Sequence, residues 1–522
     1  MSLADLLGAV GSTSEQVETA RRTAILLCSD LADDGLDLGE LQSALGERLP
    51  DVAVVVVEHL CERPGAAAPA LRAAGAARAV IGACRRKVPE AELRGRVRLG
   101  RSASCDLEIV RVPRTRGCAS AATMLTAATT RLALAPAGEP SRAVPTSGGF
   151  SRAALLRLTP AVSLLPIAAV EADRCIGVSR CGLCVQACSA GAISSRDETA
   201  TVIGSACVTC GECALACPTG AIHLAGATSA QLQAQLTTLL AEPAPAGVLF
   251  ACRRAVESLD DEPALDEWDV VELPALAVVT AGWVLQALAG GAPHVHLRPC
   301  AGDCCSRWRE GGESLDLCRA LLPAPLAGRV TAGGGLPPAP SVAEAPVAAH
   351  PLVLAEPQAT TLALEWLGVE DLVLEHPAAP LGLVDVTPGC TTCGACATAC
   401  PTGALELAER ESTIALLYDA SLCTGCRLCV RVCPEQVIRA ARGVDLRRIG
   451  ARIELASSRR GRCRSCGTLL PPAASVDRNR RLLASAWPLL ADQPDDLCSL
   501  CARKAGTIAL SDAPPARDER RR

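Results

Sequence analysis

The sequence predicts an α/β chain with small α+β modules: two parallel-sheet α/β domains alternating with two compact cysteine-rich modules, and a C-terminal two-knuckle metal module. Three observations carry this. Continuous apolar runs at 23–28 (TAILLC), 52–57 (VAVVVV) and 78–83 (RAVIGA) are separated by helical segments at 38–48 and 65–76, as in strands buried on both faces of a parallel sheet. The same alternation returns at 247–251, 269–273 and 294–298, with helical segments at 228–240, 275–290 and 313–322. The chain also holds 30 cysteines in 522 residues, many in runs of fixed spacing.

Composition narrows the functional class. The net charge of −5 comes without a basic stripe, and aromatics make up only 2% of residues, so nucleic acid is not an expected partner. No run of about 18 uncharged apolar residues marks a membrane span; the best stretch, 273–291, is interrupted by Gln286 and glycines. The first residues, MSLADLLGAV, lack a basic n-region and a cleavage motif. The cysteine spacing is of metal type and not a secreted disulfide framework. These features together predict a reducing, cytoplasmic setting.

The most informative stretch is 390–434. Cys390, Cys393, Cys396 and Cys400 precede Pro401; Cys423, Cys426, Cys429 and Cys433 precede Pro434. Each set reads C-x2-C-x2-C-x3-C-P and resembles the two-cluster [4Fe–4S] ferredoxins. Three thiolates two residues apart can curl round one cubane, while the fourth, after a longer gap and a turn-forming proline, points away to the neighbouring cluster. The expected sets are therefore Cys390, Cys393, Cys396 with Cys433, and Cys423, Cys426, Cys429 with Cys400. Two zinc knuckles would not need this spacing twice, each closed by proline.

A second module of the same kind spans 171–226, so the modules (171–226 and 387–442) form an internal repeat. Cys207, Cys210, Cys213 and Cys217 with Pro218 are regular. The other run, Cys175, Cys181, Cys184 and Cys188, carries five residues (IGVSR) between its first two cysteines and Ser189 in place of proline. The three extra residues can loop out while Cys175 still reaches the cluster; the competing reading is a degenerate site.

In the domain at 21–125, Cys28, Cys61 and Cys84 sit at or just beyond strand ends, where ligands of open α/β sheets gather. They can converge on one site with Cys118 or Cys105 as a fourth, or each can be a buried small hydrophobe. The order of strand-Cys28, Cys61 near Pro-Gly, VIGAC ending at Cys84, and an Arg-rich segment leading to Cys118 is similar to the N-terminal domain of the flavin-binding subunit of heterodisulfide reductase. That resemblance implies Fe–S ligation by Cys28, Cys61, Cys84 and Cys118. The family's flavin domain has no counterpart here, since no G-x-G-x-x-G follows a strand; neither flavin nor NAD is expected.

The domain at 246–325 runs from GVLFAC, ending at Cys252, to Cys300-Ala-Gly-Asp-Cys304-Cys305. It is similar to the delta subunit of methyl-viologen-reducing hydrogenase, which implies a [2Fe–2S] cluster with Cys252, Cys300 and Cys304 matching by position. Cys305 or Cys318 are candidate substitutes. Of the six histidines, His294 and His296 near Cys300 are read as structural. Segment 126–170 reads as a linker with some helix, 326–349 as a linker, 350–386 as a short strand–helix–strand, and 1–20 and 506–522 as flexible ends.

At 461–505, Cys463 and Cys466 with Gly467, then Cys498 and Cys501, form two C-x2-C knuckles that fit a tetrahedral S4 site for Zn or one Fe. The whole predicts four [4Fe–4S] clusters, further candidate Fe–S and Zn sites, and an electron-transfer subunit of an oxidoreductase complex. Its partners would be other redox subunits: a flavoprotein, a hydrogenase or a heterodisulfide reductase-like protein. The rival readings are a cluster-fed thiol–disulfide reductase and a non-catalytic iron–sulfur assembly or sensor protein.

Overall fold

A computed structural model of the chain describes residues 23–76, 78–84, 106–112, 116–135, 141–145, 162–224, 226–242, 244–259, 262–300, 305, 313–338, 350–410, 412–484 and 496–504. The expected flexible ends at 1–20 and 506–522, and the candidates Cys105 and Cys304, lie outside them. The chain forms two compact units, Met1–Pro380 and Leu381–Arg522. Among the described residues no helix is long and apolar enough to cross a membrane.

The first unit opens with β1 (Thr23–Cys28), α1 (Leu38–Arg48), β2 (Ala53–Val57), α2 (Ala67–Ala73), β3 (Arg78–Ala83), β4 (Asp106–Arg111) and α3 (Gly117–Ala133). The strands are all parallel, in the order β2-β1-β3-β4. β1 and β3 are buried at every position, as their unbroken apolar runs require. The Asp37 side chain caps α1 by accepting from the Gly39 and Glu40 amides at 2.8 and 3.0 Å, which satisfies two otherwise orphaned donors.

Helix α3 runs across the expected domain end at 125 into the stretch read as a linker with some helix. Its residues are small, and that composition reads as a linker, yet most of its 17 residues are buried. Alanines and threonines let the helix backbone approach its neighbours closely. The Thr129 and Thr130 hydroxyls are satisfied within the helix by the carbonyls of Leu125 and Ala127 at 2.7 and 2.8 Å. The buried Arg78 guanidinium closes the helix end, donating to the carbonyls of Leu132 (2.7 Å), Ala133 (3.2 Å) and Ala135 (2.6 Å), a cation against the negative end of the macrodipole.

A hairpin of β5 (Ser141–Pro145) and β6 (Val162–Pro166) follows. The first cysteine module is β7 (Ala168–Val170), α4 (Leu183–Ala187), β8 (Ile193–Arg196), β9 (Thr199–Val202), α5 (Glu212–Ala216) and β10 (Ile222–Leu224). Its outer strands β7 and β10 pair antiparallel, as do the inner strands β8 and β9.

After α6 (Ser229–Leu239) comes a second parallel sheet: β11 (Gly247–Cys252), α7 (Arg253–Glu257), β12 (Trp268–Leu273), α8 (Ala281–Ala289), β13 (Val295–Arg298), α9 (Glu313–Leu321) and β14 (Val330–Ala332). Its order is β12-β11-β13-β14. With the strands of each sheet counted in chain order, both sheets read 2-1-3-4. β14 lies in the stretch read as a linker, 326–349. The two sheets meet through α3 and α6. Arg131 bridges them, donating to Gln235 Oε1 (3.0 Å) and to the Glu272 carbonyl (2.7 Å). Arg116 pairs with the buried Asp269 at 2.8 Å. α10 (Gln358–Trp366) and β15 (Val373–Glu375) end this unit.

The second unit repeats the cysteine module: β16 (Gly382–Val386), α11 (Ala395–Ala399), β17 (Leu405–Glu409), β18 (Thr413–Asp419), α12 (Leu428–Val432) and β19 (Ile438–Asp445). Here too the outer pair β16 and β19 and the inner pair β17 and β18 are antiparallel. β20 (Arg452–Arg462) pairs antiparallel with β18, and β21 (Leu469–Pro472) with β20, giving the order β17-β18-β20-β21. Helix α13 (Ala473–Ala484) returns to the module, where the Ser475 hydroxyl donates to the Thr391 carbonyl (2.6 Å) and Arg478 pairs with Glu435. α14 (Ser499–Lys504) carries the last knuckle.

Candidate metal centres

The four cysteine runs of the two modules share one local design. The residue after the second cysteine is left-handed: Gly182 (φ 65°), Gly211 (φ 84°), Gly394 (φ 82°) and Arg427 (φ 62°). Glycine suits that region, so Arg427 is the costly exception. One helical turn follows and buries the third cysteine: Cys184, Cys213, Cys396 and Cys429. The fourth cysteine is the helix C-cap in extended backbone, at φ/ψ of −81/93° (Cys188), −77/111° (Cys217), −72/114° (Cys400) and −71/113° (Cys433). The switch from helical to extended turns that side chain away from the first three.

The neighbourhoods show where it goes. Burial pushes the Cys184 thiol up, and the charges that raise it further are those of Cys217, Cys181 and Cys175. Burial takes Cys213 to about 12, with Cys210, Cys207 and Cys188 around it. Cys390 is raised by burial, with Cys393 and Cys433 beside it; Cys423 likewise, with Cys426 and Cys400. In all four groups the fourth cysteine stands with the other run. Two groups enclose cavities, one lined by Cys188, Cys207, Cys210 and Cys213 and one by Cys390, Cys393, Cys396 and Cys433. Crowded, half-buried thiols with raised pKa values are poor bare anions and good ligands for a cationic cluster that displaces their protons.

The irregular run keeps its place. The extra residues between Cys175 and Cys181 fold onto the β8–β9 turn, where the Val178 amide donates to the Glu198 carbonyl at 2.7 Å and the Ser179 hydroxyl to the Glu198 carboxylate. Glu198 was not visible as an anchor in the sequence, because the contact joins two loops. Amide donors also reach the sulfurs: Ala192 to Cys188 at 3.2 Å and Thr392 to Cys390 at 3.4 Å.

Three further groups are tighter. Cys28, Cys61 and Cys84 have their sulfurs within 4.8 Å of one another, as do Cys252, Cys300 and Cys305, and Cys463, Cys466, Cys498 and Cys501. The first group is buried, with Cys28 and Cys84 4.0 Å apart. Hydrogen bonds from Cys61 and then Cys84 hold the Cys28 thiol far below its usual range. Cys118 is not in this group; its thiol donates to the Asp37 carbonyl at 3.4 Å. In the second group Cys305 stands 3.5 Å from Cys252. Cys318 is not part of it: fully buried on α9, it points at the Ala281 carbonyl, 3.8 Å away. In the third, Cys466 and Cys498 are 3.6 Å apart. A backbone hydrogen bond from Cys498 pulls Cys463 down to about 6, and Thr468 lowers Cys466.

His296 is structural, its Nδ1 2.8 Å from the Thr331 hydroxyl, and burial lowers it to about 4.

No curated protein matches the chain. A family model described as a 4Fe-4S dicluster domain matches residues 167–221 and again residues 389–437. These are the two modules whose cysteines interleave. The match implies [4Fe–4S] clusters, and with the cysteine groups it makes this an iron–sulfur protein with two dicluster domains and an electron-transfer role.

Proposed function

We propose that this chain is the iron–sulfur electron-transfer subunit of a cytoplasmic heterodisulfide reductase- or hydrogenase-like complex, passing single electrons between partner subunits through four [4Fe–4S] clusters. The ligand sets are Cys175, Cys181, Cys184 and Cys217; Cys207, Cys210, Cys213 and Cys188; Cys390, Cys393, Cys396 and Cys433; and Cys423, Cys426, Cys429 and Cys400. The observation that carries this reading is the exchange of the fourth cysteine in both modules. A cubane accepts and gives one electron at a time. The chain's own part is to hold each cluster half-buried, with amides such as those of Ala192 and Thr392 aimed at sulfur to tune its potential.

Partner docking is supported by the exposed apolar side chains of Val185, Val208 and Leu215, within or beside the first module's cysteine runs. The tail cysteines Cys463, Cys466, Cys498 and Cys501 hold one Zn2+ that staples the knuckles. The test is iron and acid-labile sulfide on anaerobically prepared protein. Four clusters give about sixteen irons with matching sulfide; fewer than about twelve irons refutes the four-cluster reading. Anaerobic co-purification, with bleaching of the clusters by the captured donor, tests the subunit role.

A further inference from the structure

The two α/β sheets share more than their strand order. In each, the order reverses beside the first strand, and the crevice at the carboxyl ends of strands one and three is where such sheets place a ligand. Cys28 ends β1 and Cys84 immediately follows β3; Cys252 ends β11 and Cys300 follows β13 by one residue. Each pair is completed by one more cysteine, Cys61 after β2 in the first sheet and Cys305 after β13 in the second. Two sheets, built from sequence with no obvious repeat, thus place three buried sulfurs at the same topological point.

The spacing of these sulfurs does not fit the clusters that the family resemblances imply. In a cubane each thiolate binds a different iron, so the sulfurs stand well apart. In a [2Fe–2S] cluster two thiolates sit on each iron, and the pairs lie at opposite ends. Three sulfurs mutually within 4.8 Å fit neither. The same structure supplies the contrast: among the described residues, none of the sixteen dicluster cysteines belongs to such a close group. A single tetrahedral ion with metal–sulfur bonds of about 2.3 Å sets its thiolates about 3.8 Å apart. The 4.0 Å between Cys28 and Cys84 and the 3.5 Å between Cys252 and Cys305 bracket that value. Burial fits the same picture: at 0–3% exposure in the first group, and at 1%, 9% and 0% in the second, three sulfurs acting as thiolate ligands would have their charge compensated by the bound cation.

We propose that each α/β domain binds one thiophilic divalent ion, Zn2+, on three thiolates: Cys28, Cys61 and Cys84 in the first, Cys252, Cys300 and Cys305 in the second. Three protein thiolates leave the fourth tetrahedral position to water or an external ligand. Both sites are independent of the electron-transfer reading.

The test uses the full-length chain, purified anaerobically, with the tail site removed by Cys466→Ser and Cys498→Ser. About two zinc ions per chain should remain, with an all-sulfur protein shell near ~2.3 Å by zinc-edge X-ray absorption. Adding Cys28→Ser with Cys84→Ser, or Cys252→Ser with Cys305→Ser, should each remove about one zinc and leave iron and sulfide unchanged. Less than about one zinc before those changes, or loss of iron with matching sulfide upon them, overturns the proposal. The count in the chain that keeps both domains intact decides the matter even where a domain variant misfolds.

Discussion

Replacing Gly382 with alanine should loosen one cluster and leave the others alone. Gly382 lies in β16, where its amide donates to the Cys423 carbonyl at 2.9 Å and its own carbonyl accepts from the Tyr418 hydroxyl at 2.5 Å. A Cβ at this position would stand 2.6 Å from Cys423 Sγ, 2.7 Å from Gly425 Cα and 2.8 Å from Gly425 N. Ordinary contact begins at 3.4 Å, so the sulfur must retreat by 3.4 − 2.6 = 0.8 Å. Neither the backbone of Gly425 nor a ligand sulfur is the free end of a flexible side chain. Overpacking of this kind costs about 2 kcal/mol, which multiplies opening of the loop about 30-fold. The assay is anaerobic iron release to a strong chelator. On the four-cluster reading proposed above, about a quarter of the iron, the cluster assigned to Cys423, Cys426, Cys429 and Cys400, should leave about 30-fold faster, with the rest at the wild-type rate. Gly46→Ala on the exposed face of α1, where a Cβ meets nothing within 4 Å, should leave release unchanged and stabilise its helix by about 0.5–1 kcal/mol. Uniform wild-type release in Gly382→Ala would refute the reasoning.

Two further outcomes follow from other sites in the chain. Cys433→Ala should perturb the cluster held by Cys390, Cys393 and Cys396, because Cys433 stands beside Cys390; damage confined to the Cys423 cluster by magnetic spectroscopy contradicts this. His296 is held near 4 by burial, below the ordinary histidine value of 6.5. The unfolded chain therefore binds the proton first, so the stability tied to neutral His296 is complete above about pH 6.5 and is lost as pH falls toward about 4, by about 1 kcal/mol per unit. Hydrogen exchange in β13 should show that slope in the wild type and lose it in His296→Gln; equal slopes contradict it.

How much of this was legible in the sequence differs by element. The strands of continuous apolar residues, β1, β3 and β11, announce themselves because both faces are buried. The cysteine spacing announces the modules because a cluster needs its ligands at fixed offsets. The burial of helix α3 was hidden, since an alanine- and threonine-rich segment reads as a linker with some helix until neighbours pack against it. β14, three residues long, carries too little pattern to stand out from its Pro/Gly-rich surroundings. The joining of β20 to the module's inner hairpin depends on pairing across more than 30 positions, and no local signal encodes it. The likeness of the two α/β domains was invisible for a related reason: strand order is a property of crossovers, while the sequence shows only strands. At the centres, the family resemblances named Cys118 and Cys304, with Cys305 or Cys318 as substitutes for the latter, and Cys304 lies outside the described residues. The structure brings Cys305 to Cys252 and Cys300, and sends the Cys118 thiol to the Asp37 carbonyl.

On the reading proposed above, the chain is a one-electron wire with no two-electron site of its own. Hydride carriers deliver electrons in pairs, whereas each cubane takes one, and a flavin commonly divides the pair. The decisive measurement is anaerobic bleaching of the visible cluster absorbance of the purified chain under different donors. Dithionite or a reduced ferredoxin should bleach it, NADH or NADPH alone should not, and adding a flavoprotein or hydrogenase partner should restore reduction. Rapid bleaching of the isolated chain by NADH or NADPH would contradict the one-electron wire.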